Sequence, residues 1–377
     1  MGNPRVLFVT SKVSGGMKTH QTDLLVGLKD SYDLCLLGAK GDDWPATLQE
    51  SGCDFIPADA FQGYSGLQIG RGVAALWSAL RRQKPDLLHI HGFRPLLYGL
   101  PLLSRTGPPV VMTVHGFMPG TAGLRSRLAA LLMNQVPAKI IAVSKALRKH
   151  LISLGIDESK IEVVYNGIDL AEWKRRGDLP GVQGEFRLAA VGRLVRKKGF
   201  HHLLEATATL NRRGLATKLS IAGDGPEEGS LKALAGELGL LDRVMFLGHV
   251  KDLRPYLLGA HALAMPSLEE GLGIAAIEAM ALSIPVVATA TGGLSEVVVA
   301  DETGYLVEAG DEQELVDAIW TMARSGDKGL RRMGDAGRQR AERLFSRQGM
   351  IEGTGRIYRS LLEAAYQPTS VPEGVNR

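Results

Sequence analysis

Short β-branched runs alternate with longer helical patterns along almost the whole of this 377-residue chain, and that alternation leaves few folds open. A strand that pairs in parallel with the next needs a crossover of a dozen or more residues, usually a helix. Arg5–Thr10 reads as a strand and Gly16–Lys29 as a helix; Asp33–Leu37, Asp86–His91, Pro109–His115 and Lys139–Val143 continue as strands. A second series starts after the polar stretch Lys174–Gly184: Phe186–Val191, Lys218–Ala222, Arg243–Leu247, Ala262–Met265, Pro285–Thr289 and Tyr305–Val307. The pattern predicts an α/β protein with two doubly wound parallel sheets, joined near 165–185, and a ligand in the cleft between them. A last helical pattern, Gln348–Tyr366, precedes a tail rich in Pro, Ser and Gly that should fray.

Length supports two cores of ordinary size, and 45% hydrophobic with 22% charged residues is ordinary globular composition. No run approaches the roughly eighteen apolar residues of a membrane span. The start, MGNPRVLFVTSKV, enters a strand directly without a signal peptide's apolar core. Cys35 and Cys53 have neither metal-ligand spacing nor the look of a disulfide framework, which suits a reducing cytosol. A net charge of +4 and a pI near 9.0 allow anionic ligands or an anionic membrane surface. No basic tract calls for nucleic acid.

The sharpest chemical signal is residues 266–293, PSLEEGLGIAAIEAMALSIPVVATATGG. Glu270 and Glu278 stand eight apart, with Gly-Leu-Gly directly after the first. A helix brings i and i+7 or i+8 onto one face, so both carboxylates can address one long polar ligand. Two glutamates at that spacing are more often a solvated face. Here, however, the run after Glu278 is almost wholly apolar up to Pro285-Val286-Val287-Ala288, which reads as a helix and then a buried parallel strand. The pair therefore sits where a strand ends and a helix starts, the edge at which open α/β sheets bind ligands. The backbone N–H groups of Gly271 to Ala275 become helix-start donors, a natural anion seat. Carboxylates for hydroxyls beside a seat for phosphate point to a sugar nucleotide.

Other pieces fit the same ligand. After the strand at Val191, Gly192-Arg193-Leu194-Val195-Arg196-Lys197-Lys198-Gly199 is a glycine-marked basic turn before a helix. Arg193 can fork two oxygens and Lys198 supplies a movable charge, although a solvated basic loop looks the same. Ala222-Gly223-Asp224-Gly225-Pro226 allows close backbone approach, or is turn chemistry alone. Ser14-Gly15-Gly16-Met17 follows the first strand but lacks the full dinucleotide fingerprint. His89-Ile90-His91-Gly92 and Val114-His115-Gly116-Phe117 end two further strands, and His91 and His115 can converge on the cleft. Metal binding there is disfavoured, because no carboxylate accompanies them at ligand spacing.

Together, the GG after strand one, TVHGF, AVSKALRKHL, VVYNGID, VGRLVRKKGF, IAGDGPE, DRVMFLGHV, the Glu-x7-Glu block with PVVAT, and TGGLSEVV resemble the retaining glycosyltransferases of family 4. The resemblance implies a GT-B fold: an acceptor-side Rossmann-like domain over 1–168, a nucleotide-sugar domain over 169–347, and a final helix at about 348–366 packed back on the first. It implies that Glu270 holds the transferred sugar, Glu278 the ribose, and Arg193 and Lys198 the diphosphate. Gly16, Gly223, Leu272, Gly273 and Ile274 would assist through the backbone, and the base would lie near Leu247–Val250, with His249 and Val250 in contact. His115 matches the histidine lining the reaction centre. Glu269 precedes Glu270, and the Glu-Gly-Leu-Gly register selects Glu270.

The family is metal-independent, so no cofactor is expected and the nucleotide-sugar is a co-substrate. The leading expectation is transfer of a hexose or N-acetylhexosamine from a UDP-sugar to a lipid-linked or glycan acceptor, in the cytoplasm. A phosphorylase, a sugar-nucleotide epimerase and a non-catalytic sugar-nucleotide-binding subunit are the alternatives; intact Arg193, Lys198, Glu270 and Glu278 oppose the last. Residues 123–134, GLRSRLAALLMN, combine Arg125 and Arg127 with Leu124, Leu128, Leu131 and Leu132, and PLLYGLPLL lies just before. Such a stripe packs on its own sheet or lies on the inner face of an anionic membrane.

Overall fold

The strands form two separate parallel sheets in the computed structural model, which describes residues 2–11, 15–40, 52–59, 66–98, 107–118, 124–175, 177, 181–182 and 184–366. The first sheet holds β1 (Arg5–Thr10), β2 (Asp33–Ala39), β3 (Asp54–Ala58), β4 (Leu87–His91), β5 (Val110–Val114), β6 (Lys139–Ala142) and β7 (Ile161–Val163). Its order is β3-β2-β1-β4-β5-β6-β7. The second holds β8 (Phe186–Val191), β9 (Thr217–Ala222), β10 (Val244–Gly248), β11 (Ala262–Met265), β12 (Val286–Thr289) and β13 (Gly304–Val307), ordered β10-β9-β8-β11-β12-β13.

Both orders reverse direction once, between β1 and β4 in the first sheet and between β8 and β11 in the second. Loops leaving the two strands at such a point diverge and open a crevice at their carboxyl ends. These are the two Rossmann-like domains that the alternation predicts. Two strands go beyond that reading: β3, which carries Pro57, and the three-residue β7. Both are edge strands, where pairing on one side tolerates short length and proline, so their apolar signal is weak. The Gly66–Gln83 helix, between β3 and β4, likewise goes beyond that reading.

The block after Glu270 folds as its apolar run requires. β12 is buried along its length between β11 and β13, and the Ile274–Ala281 helix lays Ala276, Ile277, Ala279 and Met280 against the core. Each buried Ile or Met contributes about 1.5–3 kcal/mol relative to exposure, which anchors the glutamate-bearing loop.

The chain returns to the first domain at its end. Ile168 bridges Ser346, and the Arg347–Tyr366 helix packs on the Gly16–Leu28 helix. Met350, Ile357, Tyr358 and Leu362 join the cluster built on Val6, Phe8, Leu24 and Leu25. Arg347 pairs with Asp169 at 2.6 Å and with Asp23 at 3.6 Å, fastening the crossing point. The tail beyond 366 lies outside the described residues.

In the Leu124–Gln135 helix, Ala129, Ala130, Leu132 and Met133 turn to the core. Leu128 and Leu131 are 50% and 54% exposed, beside an exposed Arg127. The leucine stripe is thus divided between sheet and solvent. The side chains of Leu124 and Arg125, and most of PLLYGLPLL, lie outside the described residues. No helix among those described is long and apolar enough to cross a membrane.

Candidate functional site

Lys198 and Glu270 form an ion pair between the loops that leave β8 and β11, the two strands at the reversal of the second sheet. Their side chains are 18% and 15% exposed. Ser267 Oγ donates a further hydrogen bond to Glu270 Oε2 at 3.3 Å. The neighbouring Lys197–Glu269 pair, at 3.0 Å, lies further out. Of the two adjacent glutamates, Glu270 is therefore the one turned inward. Lys198 sits on the short turn Arg196–Lys198, which closes at Gly199 with φ +66. A Cβ there would lie 2.0 Å from the Pro266 carbonyl oxygen, so glycine lets the two loops meet.

Arg193 follows Gly192 at the end of β8, is exposed, and has no ion pair or side-chain hydrogen bond among the described residues. A guanidinium held at a strand end without a partner is available to an anion. Gly223 follows β9: its N–H donates to Gly248 O at 2.8 Å, and a Cβ would fall 1.9 Å from Gly192 O. His249 and Val250 follow β10, at the outer edge of the same row of strand ends.

The Ile274–Ala281 helix starts at Gly273 with no side chain capping its first N–H groups. Such an end favours an anion, through the free N–H groups and the dipole. Leu272 and Gly273 are buried at this start, and Ile274 is half-buried. Glu278 lies on the same helix with no cation or donor paired to it among the described residues. Burial pushes its carboxyl up to about 8.

The first domain closes the site. The backbone of Gly16, at the start of its helix, lies against Ile274, whose Cδ1 is 2.6 Å from where a Cβ of Gly16 would be. The loop after β5 meets the loop after β11: a Cβ on Gly271 would lie 2.1 Å from the carbonyl oxygen of His115. Gly16 with Ile274, and His115 with Gly271, are thus brought together across the cleft. Ser14 lies outside the described residues.

His115 and His91 converge, with His115 Nε2 and His91 Nδ1 3.4 Å apart. His91 is 2% exposed and turned inward, whereas His115 keeps partial exposure. His89 does not reach the cleft; its ring is bonded to Tyr358 and Thr113 inside the first domain. Burial holds His115 down to about 4 and His89 to about 3, so both rings are neutral near pH 7.

Three residues were not assigned from the sequence. His20 joins His91 and His115, each offering a ring nitrogen within 4.8 Å of the others. Asn166 is buried beside His20. Glu296, in the TGGLSEVV segment, reaches the first domain: it accepts from the backbone N–H groups of Lys145 at 2.9 Å and Ala146 at 2.7 Å, and from Tyr165 OH at 2.8 Å. A carboxylate at the start of the Lys145–Ser153 helix complements its dipole and joins the two domains. No spacing within TGGLSEVV marks that role, because its partners lie more than a hundred residues away.

This geometry meets known proteins along its length. The profile of Glycosyltransferase Family 4 matches residues 14–172, and that of Glycosyl transferases group 1 matches 172–340. Glycogen synthase of Mycobacterium tuberculosis is 28% identical over 84% of this chain and 78% of its own. The capsular polysaccharide biosynthesis glycosyltransferase CapM of Staphylococcus aureus is 28% identical over 77% of this chain and 83% of its own. Among solved structures, Anabaena HepE in complex with UDP-glucose superposes with a TM-score of 0.83 at 22% identity, over 94% of this chain and 99% of that one. The chain belongs to the family 4 type of glycosyltransferases, with the GT-B fold.

Proposed function

We propose that this glycosyltransferase is retaining and metal-independent, and that it moves a hexosyl or N-acetylhexosaminyl group from a UDP-sugar to a lipid-linked or glycan acceptor in envelope or polysaccharide biosynthesis. The observation that carries the reading is the Lys198–Glu270 pair beside an uncapped helix start and an exposed Arg193 with no side-chain partner among the described residues. Lys198, Arg193 and the N–H groups at Leu272–Ile274 take the diphosphate. Glu270 takes the sugar hydroxyls and Glu278 the ribose. Gly16 approaches the diphosphate from the first domain, while Gly223, His249 and Val250 line the nucleotide end. A solved relative of the same fold holds UDP-glucose, which favours uridine as the base.

The chemistry needs charge stabilisation at the departing diphosphate, usually the largest catalytic term. Two cations and a helix start supply it without Mg²⁺. The acceptor hydroxyl attacks from the face the diphosphate leaves, and a leaving phosphate oxygen takes its proton. Closure of the domains excludes water and limits hydrolysis. The neutral His115 lines the reaction centre as a hydrogen-bonding group. The enzyme works in the cytoplasm at the inner membrane face, where Arg127, Leu128 and Leu131 present charge and apolar surface to anionic lipid.

The test is incubation with labelled UDP-sugars and candidate acceptors, with and without EDTA. UDP release coupled to labelled glycan, unchanged by EDTA, supports the reading. An epimerised sugar nucleotide or phosphorolysis replaces it with another GT-B chemistry, and binding without turnover with a non-catalytic sugar-nucleotide-binding subunit.

A further inference from the structure

His20, on the Gly16–Leu28 helix, is 3% exposed, and neither of its ring nitrogens meets hydrogen-bond geometry with a partner among the described residues. His91 Nε2, His115 Nδ1 and Asn166 Oδ1 are likewise buried and unpartnered. Buried polar atoms are almost always bonded to protein, to water or to an ion. Here imidazoles from three elements converge, with ring centroids 4.7 Å apart for His20–His115, 5.6 Å for His20–His91 and 5.7 Å for His91–His115.

Three ring nitrogens within 4.8 Å of one another can be drawn onto one ion. The 3.4 Å between His91 Nδ1 and His115 Nε2 is long for a hydrogen bond. It is close to the roughly 3.3 Å between two ligands of a tetrahedral ion whose bonds are about 2.0–2.1 Å, whereas the three rings together span up to 4.8 Å, so they must close by about 1 Å to hold one ion. The supports are firm: His91 ends β4, and His115 follows the adjacent β5. His89, at 4.1 Å from the His91 ring, is held by Tyr358 and Thr113 and stays outside the set.

We propose that His20, His91 and His115 form a site for one divalent transition-metal ion of the Zn²⁺ class, and that filling it inhibits transfer by engaging His115. Three imidazoles without a carboxylate select Zn²⁺, Cu²⁺, Ni²⁺ or Co²⁺ over Mg²⁺ and Ca²⁺. Three protein ligands leave a fourth position for water. His20 and His91, at 3% and 2% exposed, are too enclosed to be reached by a sugar ring. The ion enters past His115, which is open to the cleft.

The test uses tag-free full-length protein, treated with EDTA, desalted, and free of any sugar nucleotide. Calorimetric titration with Zn²⁺ should show one ion per chain, and titration with Mg²⁺ none. Co²⁺ should give the intense visible bands of a tetrahedral site. His20→Gln should weaken Zn²⁺ binding at least ten-fold with an unchanged melting temperature, and His91→Gln serves the same purpose if that variant does not fold. In the transfer assay, Zn²⁺ should inhibit the wild type and spare the variant. Absence of saturable Zn²⁺ binding, an octahedral Co²⁺ spectrum, or variants that bind as tightly as the wild type would overturn the site. Equal inhibition of wild type and variant would overturn its link to activity. The binding measurements contain no donor or acceptor, so their outcome is independent of the transferase reading.

Discussion

The Lys198 ammonium and the Glu270 carboxylate, 72 residues apart in sequence, meet across the loops that leave β8 and β11. Each holds the other's charge in a cleft where neither is more than about a fifth exposed. A donor that binds there meets a cation and an acceptor already positioned, which lowers the cost of ordering them during reaction.

Lys198→Ala should therefore lower kcat by roughly 10²–10³-fold, the usual consequence of removing one group that stabilises developing negative charge. Initial rates over a range of donor concentration separate the cases. A raised KM with normal kcat would reduce Lys198 to a ground-state anchor.

Glu278→Ala should weaken donor binding by roughly ten- to hundred-fold above pH 8, where the carboxyl is ionised, since losing a hydrogen bond to a charged partner costs about 1.5–3 kcal/mol. Calorimetry with the intact UDP-sugar reads this directly. Unchanged affinity removes Glu278 from the site.

Without donor, stability should fall on both sides of neutral pH. The Glu278 carboxyl releases its proton near 8 in the folded chain against an ordinary 4.5, so the folded state holds the extra proton and stability falls as pH rises through that window. The buried histidines act oppositely: His115 and His89 titrate near 4 and 3 against an ordinary 6.5. The unfolded chain takes up their protons first, and stability falls as pH drops below 6.5. Melting temperatures from pH 5 to 8.5 check both limbs, and Glu278→Gln should flatten the alkaline one.

Gly271→Ala should cost about a hundred-fold in rate, because displacements of order 1 Å at a reaction centre cost that much. The new methyl would meet the His115 carbonyl at 2.1 Å and push the two cleft loops apart. A variant with a normal melting temperature and normal turnover would show that the His115 loop does not need this contact.

Peripheral membrane association predicts co-sedimentation with anionic liposomes at low salt, weakened by high salt and absent with neutral vesicles. Leu128→Glu and Leu131→Glu, both at exposed positions, should abolish it with the fold intact. Failure to bind anionic vesicles at low salt would favour a soluble acceptor.

Much of this molecule is written in local patterns. The alternation of strands and helices predicted two parallel sheets, and all six strands read in the second half are present to within a residue or two. The long apolar run after Glu278 predicted its own helix and buried strand. These features repeat over two to four residues, so neighbours in sequence carry them. Edge strands such as β7 escaped because one-sided pairing leaves a faint pattern.

Other features depended on partners far along the chain, and only tertiary structure could supply them. The sequence by itself determined that Glu270 and Glu278 flank a helix start at a strand end, because hydrophobic period and glycine placement are local properties. Which of Lys197 and Lys198 meets Glu270, that His20 joins His91 and His115, and that Glu296 caps a helix of the other domain were decided by packing. So was the division of the 124–135 helix between core and solvent. Each depends on where a second element sits, and elements separated by tens to hundreds of residues leave no periodic trace of one another in sequence.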